Sequence, residues 1–275
     1  MSMKPIAVLG VGPAGLLAAH AVAMSGRPVT IFAAPGGSGK PEPSKINGAQ
    51  FLHTAIPGIH ESDRPDGRVQ IIHEGDKDTY RRKVYGDSPD IPFVSFGVDR
   101  FIDAWQMSGT YEALWGLLDI QNAANVKTVD ANFIQEALNK NWFERIVSSI
   151  PATAICKSPA EHKFLGQTIS IWPYCAVPNL KPSEEHFVLY DGTEDRSWSR
   201  TSMMFGYGGT EFGEGMDKKA RTAYHPLISV RKPISNSCTC FPEVLRVGRM
   251  GTWTKGVLAH DGFFATLKMI MELDR

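Results

Sequence analysis

The apolar positions open with an unbroken run, Pro5-Ile6-Ala7-Val8-Leu9, which predicts a strand covered on both faces. Helical spacing follows from Leu16 to Met24 and is closed by Gly26. Pro28-Val29-Thr30-Ile31-Phe32 then predicts a second strand, completing a βαβ opening. Residues 35–48, rich in Gly, Pro, Ser and Lys, predict a loop passing over a ligand, and 49–59 reads as more ordered. The stretch 61–90 is polar and broken by turns, with one strand expected at Arg68–His73. Helical spacing returns at Val98, Phe101, Ile102, Trp105, Tyr111, Leu114, Trp115 and Leu118, and again at Val129, Phe133, Ile134 and Leu138. Both sets are expected to be core-facing stripes on helices. Arg145 to Ile150 predicts a buried strand ended by Pro151. Further β-type runs at 168–174, 186–190, 202–207 and 227–230 are spaced as in an antiparallel sheet. A last helix is expected from Val257 to Glu272, introduced by Lys255-Gly256 and with Leu258, Phe264, Leu267 and Met271 on its apolar face.

Between the first strand and the first helix lies Gly10-Val11-Gly12-Pro13-Ala14-Gly15. In that context the glycines of GxGxxG serve in turn for a tight turn, for close approach of a pyrophosphate, and for contact of helix with strand. The helix N-terminus offers free N–H groups and the positive end of its dipole, so a pyrophosphate needs no lysine. The expected cofactor contacts are Gly10, Gly12, Pro13, Ala14 and Gly15, with Ala33 at the end of the second strand. That end reads Phe32-Ala33-Ala34-Pro35 and lacks the acidic residue that usually holds the ribose. The lack weighs against NAD more than against FAD, because an enclosed flavin has many other contacts.

Gly36-Gly37 after the second strand, and Asn47-Gly48-Ala49-Gln50-Phe51-Leu52-His53-Thr54 further on, resemble the flavoprotein superfamily of UDP-galactopyranose mutase and the amine oxidases. Arg145–Pro151, Trp198-Ser199-Arg200 and Val247-Gly248-Arg249-Met250-Gly251 with Trp253 and the final helix are similar to later segments of that superfamily, in the same order. Small flavoprotein-like oxidoreductases of bacteriophages also look like this chain. The resemblance implies an α/β fold, doubly wound and Rossmann-type, with an FAD/NAD(P)-binding domain at 1–60, 141–166 and 235–275. A helical insert at 61–140 and a smaller antiparallel substrate sheet at 167–234 would interrupt it. It further implies FAD contacts at Gly36, Gly37, Gly248, Arg249, Trp253, Gly256, Val257 and Leu258. His53, Gln50 and Arg200 are the candidates for the catalytic side; packed or surface roles are their plain alternatives. The implied activity is an FAD-dependent oxidoreductase acting on an amine or alcohol carbon of a small or nucleotide-linked substrate. The alternatives are a non-redox enzyme of the mutase type and an FAD- or NAD(P)-binding protein without turnover.

Composition narrows the partners. Of 275 residues 43% are hydrophobic, enough for a sizeable core, and 29 Lys and Arg balance 29 Asp and Glu. That balance supplies no global field for nucleic acid or an anionic membrane, and no apolar run has spanning length, so a small molecule in a cytoplasmic setting is expected. Four cysteines do not suggest a disulfide framework. Cys238-Thr239-Cys240 together with Cys156 and His162 would make a Cys3His zinc site; unliganded packing and redox thiols are the alternatives.

Overall fold

The computed structural model describes residues 3–33, 50–61, 64–87, 94, 96–118, 124–125, 129–176, 185–216, 222–224 and 227–275. In chain order the elements are β1 (Ile6–Leu9), α1 (Pro13–Met24), β2 (Val29–Ala33), β3 (Phe51–Leu52), β4 (Gly67–Gly75), α2 (Lys77–Tyr85), β5 (Arg100–Gln106), α3 (Met107–Leu117), β6 (Ala124–Asn125), α4 (Ala131–Asn139), β7 (Arg145–Ser148), β8 (Phe164–Trp172), β9 (His186–Gly192), β10 (Arg200–Met204), β11 (Tyr207–Phe212), β12 (Ile228–Asn236), β13 (Val244–Arg246), α5 (Gly248–Thr252) and α6 (Asp261–Leu273). They form two compact units. The first comprises Met1–Arg64, Gln106–Leu165 and Ser235–Arg275, the second Pro65–Trp105 and Gly166–Ile234.

The first unit is built on a parallel sheet of order β13-β7-β1-β2-β6. Its register pairs Ile6 with Val29 on one side and with Arg145 on the other, which sets the first strand at the centre. All four residues of β1 are buried, as its unbroken apolar run requires. Pro13 at the first helical turn has the fixed φ that starts α1, and Ser25 and Gly26 end it through hydrogen bonds to Ala21, Val22 and Ala23 carbonyls. Ile134 and Ala137 of α4 pack with Ala7, Leu9, Phe32, Ile146 and Val244 of the sheet. The Asp130 side chain caps α4 by accepting from Phe133 N at 2.9 Å.

Strands of the second unit run in the order β12-β8-β11-β10-β9-β4-β5. The sheet is mixed, because β4 pairs with β9 in parallel while β4–β5, β9–β10, β10–β11 and β11–β8 are antiparallel. The expected antiparallel sheet therefore takes in strands from before residue 167. The expected helical insert is itself divided, with β4, α2 and β5 in the second unit and α3, β6 and α4 in the first.

Four further expectations are corrected. Val98 to Trp105 is not a helix: β5 pairs with β4 from Gly67↔Ala104 to Ile71↔Arg100, and helix begins only at Met107. Val98 is 82% exposed and Phe101 carries the Arg68 guanidinium 4.5 Å from its ring centroid, so cross-strand pairing overrides the helical spacing there. The run 202–207 is split by a hairpin turn at Phe205-Gly206, both at positive φ (50° and 80°), the geometry that suits a two-residue β-connection. The polar stretch after β4 holds α2, nucleated by Asp76, whose carboxylate accepts from Asp78 N and Thr79 N at 2.9 Å. The last helix starts at Asp261 and buries Gly262, Phe263, Thr266 and Ile270, whereas Phe264 and Met271 are 44% and 61% exposed. Apolar residues lie on several faces of α6, and the small Gly262 against Ala14 and the Phe263 ring stacked on His20 set it against α1, which selects the buried face.

Candidate cofactor and metal sites

In the first unit the chain turns sharply at Gly10 (φ 104°), whose N–H donates to Phe32 O at 2.8 Å. Gly12 is the N-cap of α1 in extended conformation. Among the described residues no side chain caps this helix end and no acidic residue stands in its first turn, so none of them spends its N–H groups and dipole on a local carboxylate. The three glycines differ in what surrounds them. A Cβ at Gly15 would lie 2.5 Å from Ser149 Oγ and closer still to Gly10 O, and one at Gly10 would lie 2.5 Å from the same hydroxyl; at Gly12 it would meet no atom of the described residues within 4 Å. Gly10 and Gly15 thus serve helix-to-strand contact, and Gly12 keeps the approach to the helix end open, as a pyrophosphate site requires.

The C-terminal segment is packed onto that same helix end. Val247 N donates to Ser148 O at 2.9 Å, and Gly248 follows with φ 67°, where a Cβ would overlap Ala14 Cβ. A Cβ at Gly262 would lie 2.9 Å from Ala14 O. Two glycines far apart in sequence from α1 therefore let the chain close over its first turn. From α3, the buried Tyr111 donates its hydroxyl to Val11 O at 2.7 Å, and burial pushes its pKa well up. Tyr111 and Gly262 went unrecognised at the sequence level: the first read as core stripe, the second as part of a plain helix.

Arg249 lies in α5, and its charge together with burial lowers the Lys255 ammonium to about 8, burial being the larger cause. Trp253 is buried in left-handed conformation, donates Nε1 to Leu165 O at 2.9 Å and meets Phe164 edge-on, which makes it an anchor of this segment. Gly256, Val257 and Leu258 do not open the last helix; Leu258 N donates to Asp261 Oδ2 at 2.7 Å. Ala33 is fully buried in β2 opposite Asn125, while Gly36 and Gly37 lie outside the described residues.

His53 is exposed and stacks on Phe51 at 4.7 Å, with the His260 ring 5.7 Å away. His260 is buried, its Nδ1 has no hydrogen-bond partner among the described residues, and burial lowers its pKa, favouring the neutral ring. Nothing in the sequence marked it out. The Gln50 carbonyl accepts from Met107 N at 3.3 Å. Arg200, in the second unit, pairs with Glu211, which also accepts from Lys232 Nζ at 2.8 Å through both oxygens. Burial opposes ionisation of Glu211, but the two cations outweigh it and hold the carboxyl down to about 2. The Arg200 charge is thus engaged within the sheet.

The four expected metal ligands do converge in the first unit. The Sγ atoms of Cys156, Cys238 and Cys240 and a ring nitrogen of His162 all lie within 4.8 Å of one another. Cys156 Sγ is 3.0 Å from His162 Nδ1 and 3.5 Å from Cys238 Sγ, and Arg246 donates to Cys238 Sγ at 3.4 Å. Cys175 belongs to the second unit and contacts Thr201.

No helix among the described residues is long and apolar enough to cross a membrane. No family model and no curated protein sequence matches the chain. Solved structures do. Reduced UDP-galactopyranose mutase aligns over 99% of this chain and 94% of its own, at 12% identity and a TM-score of 0.58. A geranylgeranyl bacteriochlorophyll reductase-like protein from Thermoplasma acidophilum covers 100% and 80% (14% identity, TM-score 0.53), and a flavin-dependent halogenase from Brevundimonas sp. BAL3 covers 99% and 72% (10% identity, TM-score 0.52). At these identities the likeness is one of fold, and the chain has the fold of FAD-binding Rossmann-type flavoproteins.

Proposed function

We propose that the chain is an FAD-dependent oxidoreductase whose first unit holds the cofactor pyrophosphate at the N-terminus of α1. The observation that carries this reading is the helix end at Gly12, uncapped and open among the described residues, while Gly10 and Gly15 are tightly packed and Gly248 and Gly262 pack against Ala14. The N–H groups of Gly12, Ala14 and Gly15 would bind the pyrophosphate oxygens, and Tyr111 fixes the turn through Val11. Arg249 and Lys255 would add positive charge to the same segment. Bound FAD would supply the redox chemistry, accepting hydride from an amine or alcohol carbon of a small or nucleotide-linked substrate. On the protein side His260, whose burial favours the neutral ring, would hold a proton at Nδ1, and His53 lies beside it.

A second reading, a non-redox enzyme of the mutase type, is supported by the near-complete mutual coverage with UDP-galactopyranose mutase. The absorption spectrum of the purified protein, with mass analysis of what it releases on denaturation, tests the cofactor: released FAD is expected, and a colourless protein that takes up no FAD overturns the proposal. Anaerobic bleaching by candidate amines or alcohols then supports the oxidoreductase. Turnover of UDP-galactopyranose by the reduced protein, without bleaching by any of them, supports the mutase.

A further inference from the structure

We propose that Cys156, His162, Cys238 and Cys240 bind one zinc ion in a closed structural site, separate from the pyrophosphate site. With Zn–S near 2.3 Å and Zn–N near 2.0–2.1 Å, the ligand atoms of a tetrahedral site stand roughly 3.5–3.8 Å apart. The observed separations bracket that spacing: 3.0 Å for Cys156 Sγ to His162 Nδ1, 3.5 Å for Cys156 Sγ to Cys238 Sγ, and 3.9 Å for Cys240 Sγ to His162 Nδ1. With all four atoms within 4.8 Å of one another, the space suits a single ion and is too small for an iron–sulfur cluster, whose irons and sulfides must fit between the thiolates. Three thiolates and an imidazole favour zinc among common divalent ions, and four protein ligands leave no position for water or substrate.

The backbone brings the ligands together in pairs. Cys156 and His162 lie between β7 and β8, and Cys238 and Cys240 between β12 and β13. The two segments are joined beside the site, where Ser237 N donates to Lys163 O and Lys163 N donates to Ser237 Oγ, both at 3.0 Å. Charge is balanced too. On binding, the three thiols release their protons to solvent, so zinc and three thiolates carry a net charge of −1. Arg246 supplies the compensating +1, donating to Cys238 Sγ at 3.4 Å and to Cys240 O at 2.7 Å. Asn236 accepts from Cys238 N at 2.9 Å and donates to Thr252 O at 2.7 Å, which links the site to the end of α5. The ion would therefore fasten the segment that precedes Gly248.

Elemental analysis of the full chain, after expression with zinc and dialysis against EDTA, tests the site. About one zinc per chain is expected. Cys240→Ser should lose it, a larger loss than the roughly 10–100-fold in affinity typical of removing an outer partner, while Cys175→Ser keeps it. If Cys240→Ser does not fold, cobalt(II) titration of the wild-type protein, stripped of metal at low pH and refolded, decides. Intense d–d bands to the red of flavin absorption with sulfur-to-cobalt charge transfer, reversed by zinc, support the site. A folded wild-type protein that retains no zinc and gives no tetrahedral cobalt spectrum overturns the proposal. So does a native Cys156–Cys238 disulfide found by mass analysis, or equal loss of zinc from Cys175→Ser.

Discussion

Gly12 and Gly15 belong to one motif, yet substituting them should damage different properties. Valine at Gly12 meets no atom of the described residues with its Cβ, and the residue already has φ −72° and ψ 171°, which valine accepts. The fold should lose at most ~0.5–1 kcal/mol from the poorer N-cap. The branched side chain would instead stand where the pyrophosphate must approach. Losing two charge-assisted contacts at ~1.5–3 kcal/mol each weakens FAD binding by ~3–6 kcal/mol, or about 10²–10⁴-fold. Valine at Gly15 places its Cβ 2.5 Å from Ser149 Oγ, about 1 Å inside an ordinary contact of roughly 3.5 Å. Neither neighbour can yield easily, since Ser149 Oγ donates to Leu9 O at 3.1 Å and Gly10 N to Phe32 O.

Overpacking at such a site costs ~3 kcal/mol or more, which lowers Tm by roughly 6–12 °C in a chain of this size. Calorimetry of the two apoproteins, followed by FAD titration monitored by flavin fluorescence, separates the effects. Gly12→Val should melt within a few degrees of wild type and fail to bind; Gly15→Val should melt much earlier. A Gly12→Val protein that binds FAD within about three-fold of wild type would refute the assignment of the pyrophosphate to this helix end.

Three further outcomes concern contacts in both units. Tyr111→Phe leaves the Val11 carbonyl without its donor and should lower stability by ~1–3 kcal/mol in urea unfolding, with weaker FAD retention. In the second unit the buried Lys83 Nζ lies 2.5 Å from the fully buried Asp191, which also accepts from Thr193 and lies 3.4 Å from Arg196; Lys83→Met, which leaves Arg196 beside the carboxylate, should cost ~3 kcal/mol in urea unfolding, and Asp191→Leu, which strands Lys83 and the Thr193 donors, should cost more. Burial and Arg249 hold Lys255 at about 8 against ~10.4 unfolded; the folded state binds fewer protons between these values, so apoprotein stability should rise with pH across that window, and Lys255→Met should flatten the rise.

The first 33 residues were legible because each level of their sequence agrees. A doubly buried strand has to be apolar throughout, a helix beginning at Pro13 declares its first turn, and glycine at a crowded turn has no substitute. The region 61–140 was not legible, for the opposite reason. Phe101, Ile102 and Trp105 fit a helical stripe by spacing, but the register with β4 decides their conformation, and that partner lies some thirty residues away. Asp76 is one polar residue among many until its carboxylate is seen capping α2.

The two candidate sites show the same division at the level of chemistry. Cysteine and histidine are few enough that a short spacing, Cys238-Thr239-Cys240, could be matched with Cys156 and His162 before their positions were known. Arg246 could not be found that way, since an arginine near a C-x-C pair is unremarkable until its guanidinium reaches the sulfur. At the helix end, what was missed is likewise a matter of contact: Tyr111 reads as one more core aromatic, and Gly262 matters only because Ala14 O lies 2.9 Å from the Cβ it lacks. Residues that bind through their own scarce chemistry are therefore readable from the chain. Those that position other groups become readable only when long-range packing supplies the partner: Val11 for Tyr111 of α3, Ala14 for Gly262 of the C-terminal helix, and the cysteine pair for Arg246.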